Sequence, residues 1–444
     1  VNRRRASGAC ALLGLLAAGP ALAYPLDLAG ATGITRLEAY RLGQKGRERQ
    51  GGELLPKGAL LPASVVRLSL EDQPDFAIPP PDPELGAQLR RALGADAPHY
   101  SLALLDLTDP DRPRYAGVNP DQAQNPGSVG KIMVALALFQ ALADAYPDDL
   151  DARRRVLREA EITADGFIRN DDHEVPFWQP GDPKVERRPI REGDVANLWT
   201  WLDWMISSSS NAAGSEVMAQ LVLLRRFGRD YPVPAPQAAA FFARTPKPEL
   251  TRIYLAAMLD PIGKNGLDRR RLQQGSFFTR EGKARIPGTS SIATAGELLR
   301  YLVRMEQGRL VDAFSSLEIK RLLYLTEQRI RYASQPVLSD SALYFKSGSL
   351  YSCKPEAGYS CGKFLGNRLN FMNSMVLVET PDRTPPLRYA VAVLSNVLKK
   401  NSAEVHRELA LEIHRIVESL HPARPAPPGS RDVDGLPWKK AGGN

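Results

Sequence analysis

Cysteine, histidine and long apolar runs are all scarce in this sequence of 444 residues, which holds three cysteines and five histidines. His406 and His414 fall in a helical stretch near the end, His421 in the tail and His99 at the start of a strand. Only His173 stands beside carboxylates, Asp171 and Asp172. Side chains adjacent in sequence do not readily converge on one ion, so a solvated loop is expected there, with no metal and no organic cofactor. Charge of one sign is not concentrated either. The net charge of +8 is spread along the chain, and its tightest groups, Arg187-Arg188 and Arg269-Arg270-Arg271, lack the interleaved aromatics that stack on bases. That pattern argues against nucleic acid and for solvated faces.

The apolar run Ala11 to Ala18 falls short of the roughly 20 residues of a spanning helix. Arg3, Arg4 and Arg5 precede it, and the small-x-small site Ala21-Leu22-Ala23 follows. Residues 1–23 therefore read as an export signal, with Tyr24 as the first mature residue and a periplasmic or secreted destination. No later segment is expected to be long and apolar enough to span a membrane. Cys10 would leave with the signal; it sits before the apolar run, not after it as a lipid-attachment cysteine would. Cys353 and Cys361 remain, and a lone close pair in an oxidising compartment is expected to form a disulfide, the alternative being two buried thiols.

Residues 24–95 read as an N-terminal accessory segment, punctuated by Gly and Pro, with helices near Thr35 to Leu42 and over Pro83 to Leu93. Strands are expected over Tyr100 to Leu107 and Tyr115 to Gly117, followed by a buried helix over Ile132 to Ala145. Residues 149–197 read as charged and irregular. Helices then cover Val195 to Ile206, Ala212 to Leu224, Thr294 to Val311 and Ser316 to Glu327. Three strands (Ala342 to Leu350, Phe371 to Glu379, Tyr389 to Val397) and a closing helix over Ala403 to Leu420 complete a main domain at 96–421. The tail, 422–444, is rich in Pro and Gly. Two strands, a helical block, three strands and a helix are most economically an α+β fold. One antiparallel sheet of about five strands would be flanked by helices, with a helical subdomain.

Three motifs carry the chemistry. Ser128-Val129-Gly130-Lys131 places a hydroxyl and an amine on one helical face, near a helix N-terminus that favours an anion. Serine is a weak nucleophile without a base in reach, and a buried lysine beside another cation can serve as that base. Ser209-Ser210-Asn211 adds a hydroxyl and an amide ahead of a helix of small residues. Lys346-Ser347-Gly348 puts an ammonium and a hydroxyl on a strand, where Lys346 would push the Lys131 proton off and hold a carboxylate. Other nucleophile motifs fail by residue. A G-x-S-x-G elbow would need glycine at Pro126, and a phosphate loop would need glycine at Asn125 and Ser or Thr at Ile132.

With S-x-x-K, S-x-N and K-[ST]-G in this order, the chain resembles the serine β-lactamase and D,D-peptidase superfamily, its class A β-lactamase-like branch most of all, from about Tyr100 to Leu420. The run Ile292 to Leu298 is also similar to the segment that leads out of that family's Ω-loop. The resemblance implies a β-lactamase/transpeptidase-like fold and an acyl-enzyme route. Ser128 attacks a carbonyl, Lys131 moves the proton, and Ser209 passes a proton to the leaving nitrogen. Asn211 binds the substrate amide, and Lys346, Ser347 and Gly348 line the carboxylate end. The backbone N–H groups of Ser128 and Ser349 form the oxyanion hole, a contribution of about 3 kcal/mol per donor. The implied partner is a peptidoglycan peptide or a β-lactam-like small molecule.

Two departures stand out. Ser210 replaces the aspartate of S-D-N, and no E-x-x-L-N motif supplies the glutamate that hydrolyses the acyl-enzyme in class A β-lactamases. Glu281 lies in the corresponding region but reads as an exposed loop carboxylate. A second reading is therefore a non-catalytic or slowly acylated penicillin-binding or sensor protein.

Overall fold

The computed structural model describes residues 55–62, 65–178, 185–326 and 329–423. The signal, the Thr35 to Leu42 helix and nearly all of the tail lie outside those residues. The central sheet takes β1 (Tyr100–Asp106) and β2 (Arg114–Val118) from the start of the fold. From its end come β3 (Ala342–Ser352), β4 (Leu369–Glu379) and β5 (Arg388–Asn396). All pairings are antiparallel, in the order β2–β1–β5–β4–β3. The expected α+β architecture with one five-stranded antiparallel sheet is what the chain adopts.

The strands read as continuous apolar runs because both faces of the sheet are covered. Side chains alternate between two cores. Ala103, Leu105, Met375, Leu377, Ala390 and Ala392 face a large helical half. Leu102, Leu104, Val376, Val378, Val391 and Val393 face a smaller layer. That layer is built by α1 (Pro83–Leu93), through Leu85, Leu89 and Leu93, and by the closing helix, through Leu409, Ile413 and Val417. The helix at the end of the segment 24–95 is thus a working part of the sheet's cover.

The helical half centres on α2 (Lys131–Ala145), where twelve of fifteen residues are buried. By length and hydropathy Gly127–Ala145 qualifies as a spanning helix, contrary to the expectation for the mature chain, but 72% of it is buried inside the protein. Around it stand α3 (Leu150–Glu159), α4 (Leu198–Ile206), α5 (Asn211–Phe227), α6 (Ala235–Arg244) and α7 (Lys247–Lys264). They are followed by α8 (Arg280–Arg285), α9 (Ala295–Glu306) and α10 (Ala313–Tyr324); α11 (Ser402–Leu420) is the closing helix.

Local chemistry moves several boundaries. The stretch 149–197 is not irregular. Asp149 caps α3, whose Ala152, Val156 and Leu157 form a buried face that the surrounding charges obscure. Val195–Asn197 is a short strand, and the Asn197 side chain accepts the Thr200 N–H at 2.8 Å, so α4 starts only at Leu198. α9 stops at Glu306 because Gly308, at φ +68°, turns the chain out of the helix.

Candidate active site

Ser128 lies in a tight 3-10 turn, Gly127–Gly130, rather than on the α-helix itself, and Lys131 is the first residue of α2. The turn keeps the i, i+3 relation, and Lys131 Nζ lies 2.9 Å from Ser128 Oγ. The amine also donates to the backbone oxygen of Ser209 at 2.9 Å and to Asn211 Oδ1 at 2.8 Å. Both of those partners only accept. A neutral amine has two hydrogens and one lone pair, so these contacts use both hydrogens and leave the lone pair facing the Ser128 hydroxyl. Burial pulls Lys131 down to about 7, against the opposing pull of the Asp171 carboxylate. The main cause is therefore desolvation rather than the neighbouring cation the motif suggests. The Phe278 ring, 4.5 Å from Nζ, closes the far side.

Ser209 joins the two amines. Its backbone oxygen accepts from Lys131, and its hydroxyl accepts from Lys346 Nζ at 2.7 Å. It adopts φ +61°, a left-handed conformation uncommon for serine, which turns both groups toward the amines. Lys346 has the same strand parity as Ala342 and Tyr344, the β3 side chains that pack into the helical half, and so it too faces that half, where Ser209 sits. Burial, with the charges of Lys131 and Arg331, holds its ammonium well below the ordinary lysine range.

Gly348 is required by contact. A methyl group there would lie 2.5 Å from the Ser128 nitrogen, and one on Gly127 would lie 3.3 Å from the Ser349 nitrogen. The turn and β3 thus meet backbone to backbone, with the Ser128 and Ser349 N–H groups at the junction.

Three parts of the site have no motif in the sequence. Arg331, from the connection before β3, donates to Ser347 Oγ at 2.9 Å and Ser349 Oγ at 3.0 Å, and lies over the Phe364 ring. Burial lowers its guanidinium to about 10. The second part is the loop between β3 and β4, closed by the disulfide Cys353–Cys361, with a Cα separation of 5.9 Å. It brings Lys363 and Phe364 to a cleft of about 610 Å³ that also holds Ser128, Ser209, Asn211 and the Lys346–Ser349 run. The third is Asp171. The loop 171–173 is not simply solvated: the Asp171 side chain is 2% exposed, and Asp172 and His173 line the cleft. These three residues place ligand-type atoms within 4.8 Å of one another. Both Asp171 oxygens, however, are already engaged, Oδ1 with His173 Nδ1 at 2.5 Å and Oδ2 with donors at the start of α5.

Chain similarity is confined to structure. No family model and no curated protein matches the sequence. Among solved structures the chain is similar to PBP-A, at 13% identity over 77% of this chain and 100% of that one, with a TM-score of 0.47. It is similar to a β-lactamase from Sphaerobacter thermophilus at 14% identity, covering 76% and 97%, TM-score 0.47. A β-lactamase from Chitinophaga pinensis stands at 16% identity, covering 76% and 98%, TM-score 0.47.

At these identities the chemistry has to come from this chain's own atoms. The wall beside Lys131 carries Phe278, and Gln274 packs against Gly130. Glu281 is elsewhere, on α8, bonded to Arg285 at 3.0 Å. No carboxylate among the described residues lines the cleft beside Ser128 and Lys131; its one acid, Asp172, belongs to the 171–173 wall.

Proposed function

We propose that this chain is an exported serine hydrolase of the β-lactamase and D,D-peptidase type, forming an acyl-enzyme through Ser128 on a β-lactam or a D-Ala-D-Ala-like amide. The observation that carries this reading is the placement of Lys131 Nζ, 2.9 Å from Ser128 Oγ and within 2.9 Å of two acceptors, Ser209 O and Asn211 Oδ1. In the neutral amine the lone pair is thereby left for the Ser128 hydroxyl. Ser128 Oγ bonds to the substrate carbonyl carbon, and its proton passes to Lys131 Nζ. The carbonyl oxygen, now negative, faces the Ser128 and Ser349 N–H groups. The C–N bond then breaks as the Ser209 hydroxyl protonates the leaving nitrogen, and Ser209 regains a proton from the flanking lysines. Lys346, Ser347 and Arg331 offer charge and hydroxyls to a substrate carboxylate.

Release needs water and a base, and a ring and an amide stand on the wall beside Lys131. That favours slow deacylation, and it is the ground for a second reading as a penicillin-binding or sensor protein of the cell wall. Incubation with a labelled penicillin followed by intact mass measurement tests both. A lasting adduct that disappears in Ser128→Ala supports acylation with slow release, and rapid turnover supports a β-lactamase. Absence of both adduct and turnover refutes the acyl-enzyme.

A further inference from the structure

An N-terminal helix cap normally comes from the residue that opens the helix. At α5 that residue is Ser210, whose hydroxyl accepts the Ala213 N–H at 3.1 Å. A serine has one oxygen to offer, and the Ala212 N–H would be left over. Asp171 Oδ2, from a loop some forty residues earlier, takes both the Ala212 N–H at 2.8 Å and the Ser210 hydroxyl at 2.9 Å. An aspartate at 210 would accept from the N–H groups of residues 212 and 213 by itself. It would also bring negative charge to the positive end of the helix dipole.

Resting on the acyl-enzyme reading above, we propose that Asp171 is a positioning residue that supplies from outside the motif the carboxylate absent at Ser210, and so fixes Ser209 and Asn211 against Lys131. The segment it fixes needs holding, because Ser209 is in a left-handed conformation at φ +61°. Such a residue returns to a lower-energy backbone once its anchors are lost, and Ser209 O and Asn211 Oδ1 are the acceptors that keep the Lys131 lone pair on Ser128. Asp171 itself is held firmly. Burial alone would raise its carboxyl, but the bond and charge of His173, with the Ala212 N–H and the Ser210 hydroxyl, bring it to about 2.

The test relocates the carboxylate in the full chain. Acylation rate constants with a fluorescent penicillin are measured for wild type, Asp171→Asn, Ser210→Asp and the double variant, with a melting curve for each. Asp171→Asn is expected to lose about 100-fold in acylation, the scale of a small misplacement of reacting groups. Ser210→Asp alone places two carboxylates side by side and is expected to be impaired. The double variant is expected to regain at least half of the loss on a logarithmic scale, with a melting point no lower than that of Asp171→Asn. Recovery of the rate between variants whose melting curves both show a folded chain distinguishes positioning from mere folding. Undiminished acylation in Asp171→Asn, or a folded double variant as slow as Asp171→Asn, overturns the proposal alone. Failure of the wild type to acylate overturns the reading beneath it as well.

Discussion

At the scale of single residues the site is set by which hydrogens are free. Lys131 is desolvated to about 7, so the neutral, proton-accepting form grows as pH rises through that value. Acylation by a penicillin is therefore expected to climb between about pH 6 and 8 and then level off, as read from stopped-flow rates across a pH series. A rate independent of pH over that window would remove Lys131 as the base. Arg331 makes a separable contribution. Its guanidinium holds the hydroxyls of Ser347 and Ser349, and Arg331→Gln is expected to weaken capture of a carboxylate-bearing β-lactam about tenfold, the scale of a lost charge-assisted bond. The check is whether the loss falls on the dissociation constant and spares the acylation step. Ser128 and Lys131 were legible in the sequence because their three-residue spacing puts them on one face, and Ser209, Asn211 and Lys346 because S-x-N and K-[ST]-G complete the motif set of the family the chain resembles. Arg331 and Asp171 were not, since each reaches the site from a loop whose sequence carries no periodic or spacing signal.

At the scale of elements, the site is a three-way junction of the Gly127–Gly130 turn, the start of α5 and the strand β3. The junction tolerates no side chain at 348, where a Cβ would sit 2.5 Å from the Ser128 nitrogen and 2.6 Å from the Pro126 oxygen. Gly348→Ala is thus expected to push β3 off the turn, separate the Ser128 and Ser349 N–H groups proposed to hold the oxyanion and cost more than about 100-fold in acylation. Near-normal labelling of this variant would show that the junction can yield without loss. The strands themselves were readable, because apolar runs such as 100–106 reveal burial on both faces. The stretch 149–197 was harder. There α3 buries only one face, and short strands of three or four residues give no measurable period.

At the scale of the whole molecule, the described part of the N-terminal segment is bound down as a strap. Tyr324 Oη bonds to backbone atoms of Gly58 and Leu61, and Gln307 Nε2 donates to the backbone oxygens of Gln73, Pro74 and Phe76. Beneath it lies a buried cation, Lys320, which donates to Glu306 at 2.9 Å and Glu379 at 3.1 Å, while Glu306 also accepts from Ser69. Removing one partner of such a network leaves uncompensated buried charge, so Lys320→Met is expected to cost about 3–5 kcal/mol. Hydrogen exchange should show the amides of residues 67–76 losing protection ahead of the sheet. Equal protection in both proteins would mean that the strap is held by its apolar contacts instead.

The sequence left Cys353 and Cys361 between a disulfide and two buried thiols, and the structure joins them. By itself the sequence determined the local arrangement: the strands and their alternating faces, and the one-turn relation of Ser128 to Lys131. These follow from backbone periodicity and from groups close together along the chain. Only the tertiary structure decided the chemistry of those groups. Lys131 is brought down to about 7 because the fold removes water from it, which no spacing encodes. Asp171, some forty residues earlier, bonds to Ser210 and Ala212, the neighbours of Ser209 and Asn211, and Arg331 reaches the hydroxyls of Ser347 and Ser349. Desolvation and long-range hydrogen bonds depend on what the rest of the chain brings to a point, and here they turn three short motifs into one arranged site.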